Sequence, residues 1–424
     1  MKEDFLHYLW KFKKFNTSNL QTTNKQSISI QNAGQYLQLA GPDFFNAQIH
    51  IGNQKWAGNV EIHLKSSDWY LHHHESDSAY DNVILHVVWE HDVAVFRKDN
   101  SEIPTLVLKD FVAKETLEQY QLLLQPKTWI YCERQIATLD VFVLRNWQER
   151  LFVERLERKS NPIAVLLAQT QNDWETVLFY MLAKNFGLNT NGEVFLKIAQ
   201  SIPFAVVRKE SSQVENIEAL LLGKAGLLNE SKEDTYFNNL KSIFNYLSIK
   251  YRLMAHDFEP VQFFKHRPDN FPTIRLSQLS NLYAIQTNLF SKIIQADTIE
   301  KLYELFQVST STYWQTHYQF DHASPKKKKS LSKAFIDLII VNTIIPVQFA
   351  YAKSQGRDVI ESAIQLLESI QPEQNGIIQK FHDFGIKANN AFETQSLLQL
   401  KNEYCNKSQC LNCNIGIELM KSNL

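Results

Sequence analysis

Side chains that bind metals and transfer protons are concentrated between positions 41 and 91. This segment holds seven of the thirteen histidines of the chain, together with several carboxylates. Imidazole nitrogens and carboxylate oxygens are common protein ligands of divalent metal ions. The segment therefore predicts a metal site, and the chemistry of the protein is expected there.

Strand alternation predicts which of these side chains share a face. Residues two apart on a strand project to the same side of a sheet, so Glu61, His63 and Lys65 are expected to lie together. Asp43 begins the preceding strand, and antiparallel pairing across the turn at Gly52 brings it near this group. Such a set of one Asp, one Glu and one His or Lys predicts a Mg²⁺ or Mn²⁺ site. A metal there lowers the pKa of bound water and stabilises charge on a phosphate.

The same segment offers an alternative set of metal ligands. His72 and His74 follow the strand of Glu61 closely, and His86 lies on the next strand. Imidazole ligands favour Zn²⁺, Mn²⁺ or Fe²⁺, which indicates a hydrolase that uses the histidine cluster.

A structural role for these residues also stays open from the sequence. Asp43 can cap a turn after a proline, and His86 can be a core histidine whose nitrogens are satisfied. Glu61 and Lys65 can form an ion pair on a solvated strand.

Two short motifs in this segment resemble the signature of the PD-(D/E)xK nuclease superfamily. The matching residues are Pro42-Asp43 and Glu61-Ile62-His63, with His63 at the position of the signature lysine and Lys65 one pleat further along. The resemblance implies a restriction-endonuclease-like domain that hydrolyses phosphodiester bonds in nucleic acid. It implies Asp43 and Glu61 as metal ligands, with His63 or Lys65 positioning or activating water.

Three cysteines near the end of the chain have a metal-like spacing. Cys405, Cys410 and Cys413 form a C-x4-C-x2-C pattern, which is typical of thiolates that wrap one tetrahedral ion. The pattern predicts a structural zinc site with His382 or Cys132 as the fourth ligand. Unmetallated thiols and an iron–sulfur cluster are the alternatives.

Two arginines flank a proline-bounded loop that leads into a predicted helix. Arg267 and Arg275 are candidate phosphate-binding residues, because a guanidinium group recognises phosphate oxygens in pairs. The alternative is a structural role in which they bond carbonyl and carboxylate oxygens.

Short helices and strands alternate along the first third of the chain and would position these groups. Hydrophobic periodicity predicts a helix at residues 3–15 and another at 67–77, and strands at 27–37, 47–51, 56–64, 83–89 and 106–108. This order indicates a layered α/β domain over residues 1–150. Residues 151–424 show mainly helical spacing and end in the cysteine cluster, so the predicted fold class is α+β.

Composition and charge limit the classes of protein that this chain can be. With 424 residues, 44% apolar and a net charge of −1, it is an ordinary globular chain without a general basic character. The first twenty residues lack the uninterrupted apolar core of a signal peptide. The most apolar run, residues 334–352, contains Asp337, Asn342 and Pro346, so a buried helix is expected there. A soluble cytoplasmic protein without a membrane partner is predicted.

The chain as a whole resembles a bacterial family known only as a domain of unknown function. The resembling stretches run across almost the full length: GPDFFNAQIHIG, WAGNVEIHLKSSDW, YDNVILHVVWEHD, IEALLLGKAGLL, RPDNFPTIRLSQL, VNTIIPVQFAY and YCNKSQCLNCNIG. The resemblance implies no activity, but it places the histidine-rich segment and the terminal cysteines in one architecture.

These observations lead to three functional hypotheses. The first is a metal-dependent nuclease-like phosphodiesterase that acts on nucleic acid. The second is a non-catalytic module on the same fold that binds nucleic acid or protein, and the third is a hydrolase that uses Zn²⁺, Fe²⁺ or Mn²⁺ in the histidine cluster.

Overall fold

The computed structural model describes residues 1–36, 41–123, 128–254, 259–264 and 266–421. It divides the chain into two units. The first contains residues 1–147, 380–386 and 399–424, and the second contains residues 148–379 and 387–398. The predicted α+β class is confirmed, since a sheet dominates the early chain and helices the remainder. The sequence placed the cysteine segment with the helical domain, whereas the structure assigns it to the first unit.

A six-stranded sheet forms the centre of the first unit. Its path is β1-β3-β4-β5-β6, and β2 pairs with β3 at one end. The strands are β1 Ile28–Asn32, β2 Gln35–Tyr36, β3 Phe44–Ile51, β4 Gln54–Lys65, β5 Val83–Glu90 and β6 Thr105–Val107. Strands β1 and β4 both pair with β3 in the antiparallel direction, whereas β5 runs parallel to β4 and β6 runs parallel to β5. Of the predicted 27–37 strand, Leu37 lies outside the described residues.

Helix α1, Glu3–Phe12, packs against β4 and covers one face of the sheet. Its apolar side chains follow helical spacing, so Phe5, Leu6 and Leu9 are buried together with Val60 and Ile62. Lys13 ends the helix in a left-handed conformation, with φ 49°. The opposite face of β4 is therefore the one that carries Glu61 and His63.

The β3–β4 hairpin and the β4–β5 crossover determine which residues become neighbours. Phe44 pairs with Val60, which places Asp43 opposite Glu61 across the hairpin. Glu61 in turn pairs with His86 on β5. The link between β4 and β5 contains the short helix α2, Asp68–Leu71, and the histidine-rich turn that follows it. Three separate segments thus meet at the middle of β4.

The remaining helices of the first unit are α3, Lys114–Leu123, and α18, Asn414–Lys421. The long helix α4, Val141–Gln169, begins in the first unit and continues into the second. A π-helical turn at Leu400–Cys405 and a 3₁₀ turn at Cys410–Asn412 lead into α18.

The second unit consists mainly of helices around a large apolar core. They are α5 Trp174–Phe186, α6 Leu188–Gln200, α7 Phe204–Glu210, α8 Val214–Lys224, α9 Thr235–Lys250, α10 Pro272–Ile285, α11 Leu289–Gln295, α12 Ile299–Leu305, α13 Lys333–Ile339, α14 Ile345–Ser354, α15 Ile360–Glu368, α16 Gly376–Asp383 (which crosses into the first unit) and α17 Ala391–Gln399. A small hairpin joins β7 His317–Gln319 to β8 His322–Ala323.

A π-helical turn at Ile340–Ile344 connects α13 to α14, so that Lys333–Ser354 is one continuous apolar helix. Among the described residues it is the helix whose length and composition would suffice to cross a membrane, and 56% of its apolar window is buried. This burial agrees with the core helix expected at residues 334–352.

Candidate metal centre

The carboxylates of Asp43 and Glu61 lie side by side at the start of β3 and the middle of β4. The Asp43 amide donates to Glu61 Oε2 at 3.1 Å, and the Ile62 amide donates to Asp43 Oδ2 at 3.0 Å. Each carboxylate is therefore oriented by the backbone of the other strand. This reciprocal arrangement leaves Glu61 Oε1 directed toward the histidines.

Two imidazoles approach the free oxygen of Glu61. His63 Nε2 lies 3.6 Å and His74 Nε2 3.4 Å from Glu61 Oε1, and His72 Nδ1 lies 3.1 Å from His63 Nε2. Ligands bonded to one tetrahedral ion at about 2.1 Å are separated by about 3.4 Å. Each of these three pairs is thus about as far apart as two ligands of one ion.

Three histidines alone bring their donor nitrogens close enough to bind one ion. In the part of the chain that the structure describes, His63, His72 and His74 form the group of His, Cys, Asp or Glu donors that lie within 4.8 Å of one another. His63 is buried, His74 is half-buried and His72 is exposed, so the cluster has a solvent-accessible side. His73, between the other two, is exposed and has a left-handed φ of 59°.

His86 supports the cluster through a hydrogen bond to His63. Its Nε2 lies 2.8 Å from His63 Nδ1, and its other nitrogen is buried without a hydrogen-bond partner. When His63 donates its Nδ1 proton to His86, its Nε2 lone pair faces His72, His74 and Glu61, which is the tautomer that can bind a metal. His86 therefore acts as an orienting group for His63.

Aromatic rings fix the positions of the other imidazoles. The His74 ring stacks on Tyr80 with centroids 3.7 Å apart, and Trp69 contacts both His74 and His86 at 5.4 and 5.6 Å. Trp69 and Tyr80 belong to a small separate apolar cluster behind the histidines. This packing restricts the side-chain rotations that would otherwise disperse the donor atoms.

Burial controls the protonation states in the site. Burial and the charge of Asp43 raise the pKa of Glu61 to about 9. Burial and the neighbouring imidazoles lower the pKa of His63 to about 2, and burial with His74 lowers that of His86 to about 3. Without a metal, Glu61 is thus protonated and both histidines are neutral at physiological pH.

Helix α1 contributes two groups that the sequence did not single out. His7 Nε2 lies 3.1 Å from Asp43 Oδ2; burial lowers the pKa of His7, but the Asp43 carboxylate outweighs burial and raises it above its usual value. Burial also raises the pKa of Glu3 to about 7, opposed by His7 and reinforced by Asp43 and Glu61. Glu3 and His7 are four residues apart and so share one face of a helix. This spacing is the feature of the sequence that could have identified them as a pair.

Lys65 does not join this group. It lies on the same face of β4 as Glu61, but four residues along a strand correspond to about 13 Å. Its side chain is exposed, its amide donates to Asp68, and Glu90 is its partner in register. Among the four predicted catalytic residues, the structure brings together Asp43, Glu61 and His63.

The two arginines predicted to contact phosphate occur in different surroundings in the second unit. Arg267 is exposed before a 3₁₀ turn. Arg275 is buried, bonds to Gln278 and Asn270, and stacks its guanidinium on Phe335 at 3.5 Å. Arg275 is therefore committed to side chains of its own unit, and Arg267 is the one available to a ligand.

Comparison with known families assigns the chain to a family that has no described activity. The family model described as a protein of unknown function (DUF2851) matches residues 3–376. The chain belongs to this DUF2851 family. No curated protein and no solved structure matches it. The predicted membership in a family of unknown function is confirmed, and the matched region of this DUF2851 protein includes the whole histidine and carboxylate cluster but ends before Cys405.

The lowered pKa values of His63 and His86 predict that these two histidines stabilise the fold less in acid. Because the folded-state pKa values of His63 and His86 lie below the ordinary value of 6.5, both histidines stabilise the fold above pH 6.5 and this contribution is lost as pH falls. Glu61, whose folded-state pKa of about 9 lies above its ordinary value, gains stability over the same fall in pH. The loss of roughly 1 kcal/mol per imidazole between pH 7.5 and 5.5 is therefore read from the difference between the wild type and a variant that lacks one imidazole. Urea unfolding in the presence of a chelator measures this loss.

The variant His86→Leu separates this effect from general acid sensitivity. It removes one buried imidazole, so the stability of the variant relative to the wild type should rise by roughly 1 kcal/mol between pH 7.5 and 5.5. His91→Gln, an exposed histidine just beyond β5, serves as the control and should not alter the slope. An unchanged slope in His86→Leu would contradict the assignment.

Proposed function

We propose that the first unit is a metal-dependent phosphodiesterase of the nuclease type that acts on nucleic acid. The observation that carries this proposal is the convergence of Asp43 and Glu61, held by reciprocal hydrogen bonds across the β3–β4 hairpin. Further support comes from the order of the elements, in which helix α1 and the four antiparallel strands β1 to β4 precede the parallel crossover to β5. The resemblance to the PD-(D/E)xK signature implies a similar order, with three strands instead of four before the crossover.

The donor set favours an ion that accepts both oxygen and nitrogen ligands. His63, His72 and His74 would hold it, and Glu61, whose Oε1 lies 3.4 Å from His74 Nε2, would add an oxygen ligand next to Asp43. Mn²⁺ suits such a mixed set better than Mg²⁺, which prefers oxygen ligands throughout. When bound, such an ion polarises a phosphoryl oxygen and lowers the pKa of water.

The positive charge that the signature assigns to its lysine would come from a different residue here. His63 is neutral because burial lowers its pKa to about 2, and Lys65 lies too far along β4. His7 is the remaining cationic candidate, since the Asp43 carboxylate beside it favours its protonated form. In this proposal His7 orients Asp43 and holds a proton for the leaving oxygen.

The histidine trio favours a second candidate function, a Zn²⁺- or Fe²⁺-dependent hydrolase. Its supporting observation is that three imidazole nitrogens lie within 4.8 Å of one another without requiring Asp43. The two candidates share His63 and differ in their dependence on Asp43. Asp43→Asn should abolish the nuclease activity, whereas a trihistidine hydrolase would retain its bound metal.

We place this activity in the bacterial cytoplasm. None of the four cysteines forms a disulfide, which suits a reducing compartment.

The test is cleavage of labelled single- and double-stranded DNA and RNA with Mn²⁺, Mg²⁺, Zn²⁺ or Fe²⁺. We expect Mn²⁺ to support cleavage, a chelator to stop it, and the double variant His72→Asn/His74→Asn to lower it at least tenfold. The matched control is His73→Asn, because His73 is exposed and asparagine tolerates its left-handed backbone. Absence of cleavage with every ion and substrate would overturn the proposal and favour a binding role.

A further inference from the structure

All four cysteines of the chain line one small cavity in the first unit. Cys132 belongs to a turn before α4, and the other three come from the segment more than 270 residues later. That segment contributes Cys405 from its π-helical turn, and Cys410 and Cys413 from the 3₁₀ turn before α18. The fold therefore adds Cys132 to the three cysteines whose spacing was visible in the sequence.

Specific contacts hold the two segments together around the cavity. The hydroxyl groups of Tyr131 and Ser408 are 3.1 Å apart, and Lys401 Nζ donates to the Trp129 carbonyl at 3.0 Å. Gly416 allows α18 to approach closely, because a Cβ atom at this position would lie 2.1 Å from the Cys410 carbonyl oxygen. These contacts place Cys132 and the three C-terminal cysteines at fixed neighbouring positions.

The cysteines have no other evident role. They form no disulfide. Burial raises the pKa of Cys410 to about 12 and raises those of Cys132 and Cys405 still further, so none of these three thiols is an activated nucleophile. Every cysteine of a 424-residue chain is thus gathered in one place without a covalent or catalytic use.

We propose that Cys132, Cys405, Cys410 and Cys413 form a tetrathiolate site for a single Zn²⁺ ion. Four sulfurs satisfy the closed tetrahedral coordination of structural zinc, and no position is left for a substrate. The ion ties residues 399–421 to the turn that carries Cys132, and this role is independent of the metal centre at Glu61.

Binding requires a small inward movement of the sulfurs. At a Zn–S distance of about 2.3 Å, tetrahedral sulfurs lie about 3.8 Å apart. Among the described residues, the histidine trio is the only group of His, Cys, Asp or Glu donors within 4.8 Å of one another. No three of the cysteine sulfurs are therefore that close together. Rotations of the cysteine side chains would have to bring the sulfurs to this separation, and the bound ion would replace the thiol protons.

Metal analysis of the full-length protein tests the proposal. We expect one zinc ion per chain that survives His72→Asn/His74→Asn and is lost in Cys132→Ser. Cobalt added to metal-stripped wild-type protein should produce thiolate-to-metal charge-transfer absorption, which requires no variant that could misfold. Removal of zinc should make residues 399–421 sensitive to protease at least tenfold faster.

Three outcomes would contradict the proposed zinc site. Acid-labile sulfide together with iron would identify an iron–sulfur cluster. Full zinc retention in Cys132→Ser would exclude Cys132 as a ligand. The absence of any thiolate absorption with cobalt would show that the four thiols bind no such ion.

Discussion

The variant Glu61→Gln should lose metal-dependent cleavage by about a thousandfold, which corresponds to about 4 kcal/mol of transition-state stabilisation. Burial and Asp43 keep the metal-free Glu61 carboxyl protonated at pH 7, because its pKa is about 9. Glutamine has nearly the same shape and charge as that protonated acid, and its oxygen can still accept from the Asp43 amide. The metal-free fold should therefore be preserved while an anionic ligand is lost.

Thermal unfolding with and without Mn²⁺ measures this effect separately from catalysis. At one hundred times the dissociation constant, metal binding should stabilise the wild type by about 2.7 kcal/mol, and Glu61→Gln should show almost no gain. Glu90→Gln is the matched control, since Glu90 is exposed at the end of the adjacent strand. Equal metal stabilisation in Glu61→Gln and wild type would exclude Glu61 as a ligand.

The largest expected effect on stability comes from Glu218 in the second unit. This fully buried carboxyl on α8 accepts hydrogen bonds from Tyr236 and Ser277, each at 3.2 Å, and from Ser311 and Trp314. Its four donors come from α9, α10 and the segment that follows α12. We expect Glu218→Ala to cost about 3–5 kcal/mol, because it leaves buried donors without an acceptor.

Denaturant unfolding measures the loss, and hydrogen exchange of α8 and α9 locates it within the second unit. Glu215→Ala, an exposed glutamate one turn earlier on the same helix, should change stability by less than about 0.5 kcal/mol. A Glu218→Ala loss similar to that of the control would mean that the four donors find other partners.

The composition of the site at Glu61 was only partly visible in the sequence. Alternation along β4 placed Glu61 and His63 on one face, and the Gly52 turn implied that Asp43 would lie opposite. These relations depend on residues that are close in the chain. Alternation alone, however, could not show that Lys65 is too far along the strand to act with Glu61.

The convergence of the histidines required the folded chain. His74 contacts Glu61 and His72 contacts His63 on either side of a left-handed backbone at His73. That conformation has no clear signature in a run of three histidines. His7 reaches Asp43 from a helix 36 residues earlier in the chain. A contact of this kind depends on how α1 lies across the sheet.

By itself, the sequence determined the local elements, the α+β class, the shared face of Glu61 and His63, and the spacing of three terminal cysteines. Their physical basis is periodicity, which is a property of neighbouring residues. The tertiary structure alone decided that His7 and His74 contact the carboxylates, that His72 and His86 contact His63, that Arg275 is buried, and that Cys132 lies with the other thiols. Those outcomes depend on packing between segments distant in the chain, where burial also determines which groups keep their charge.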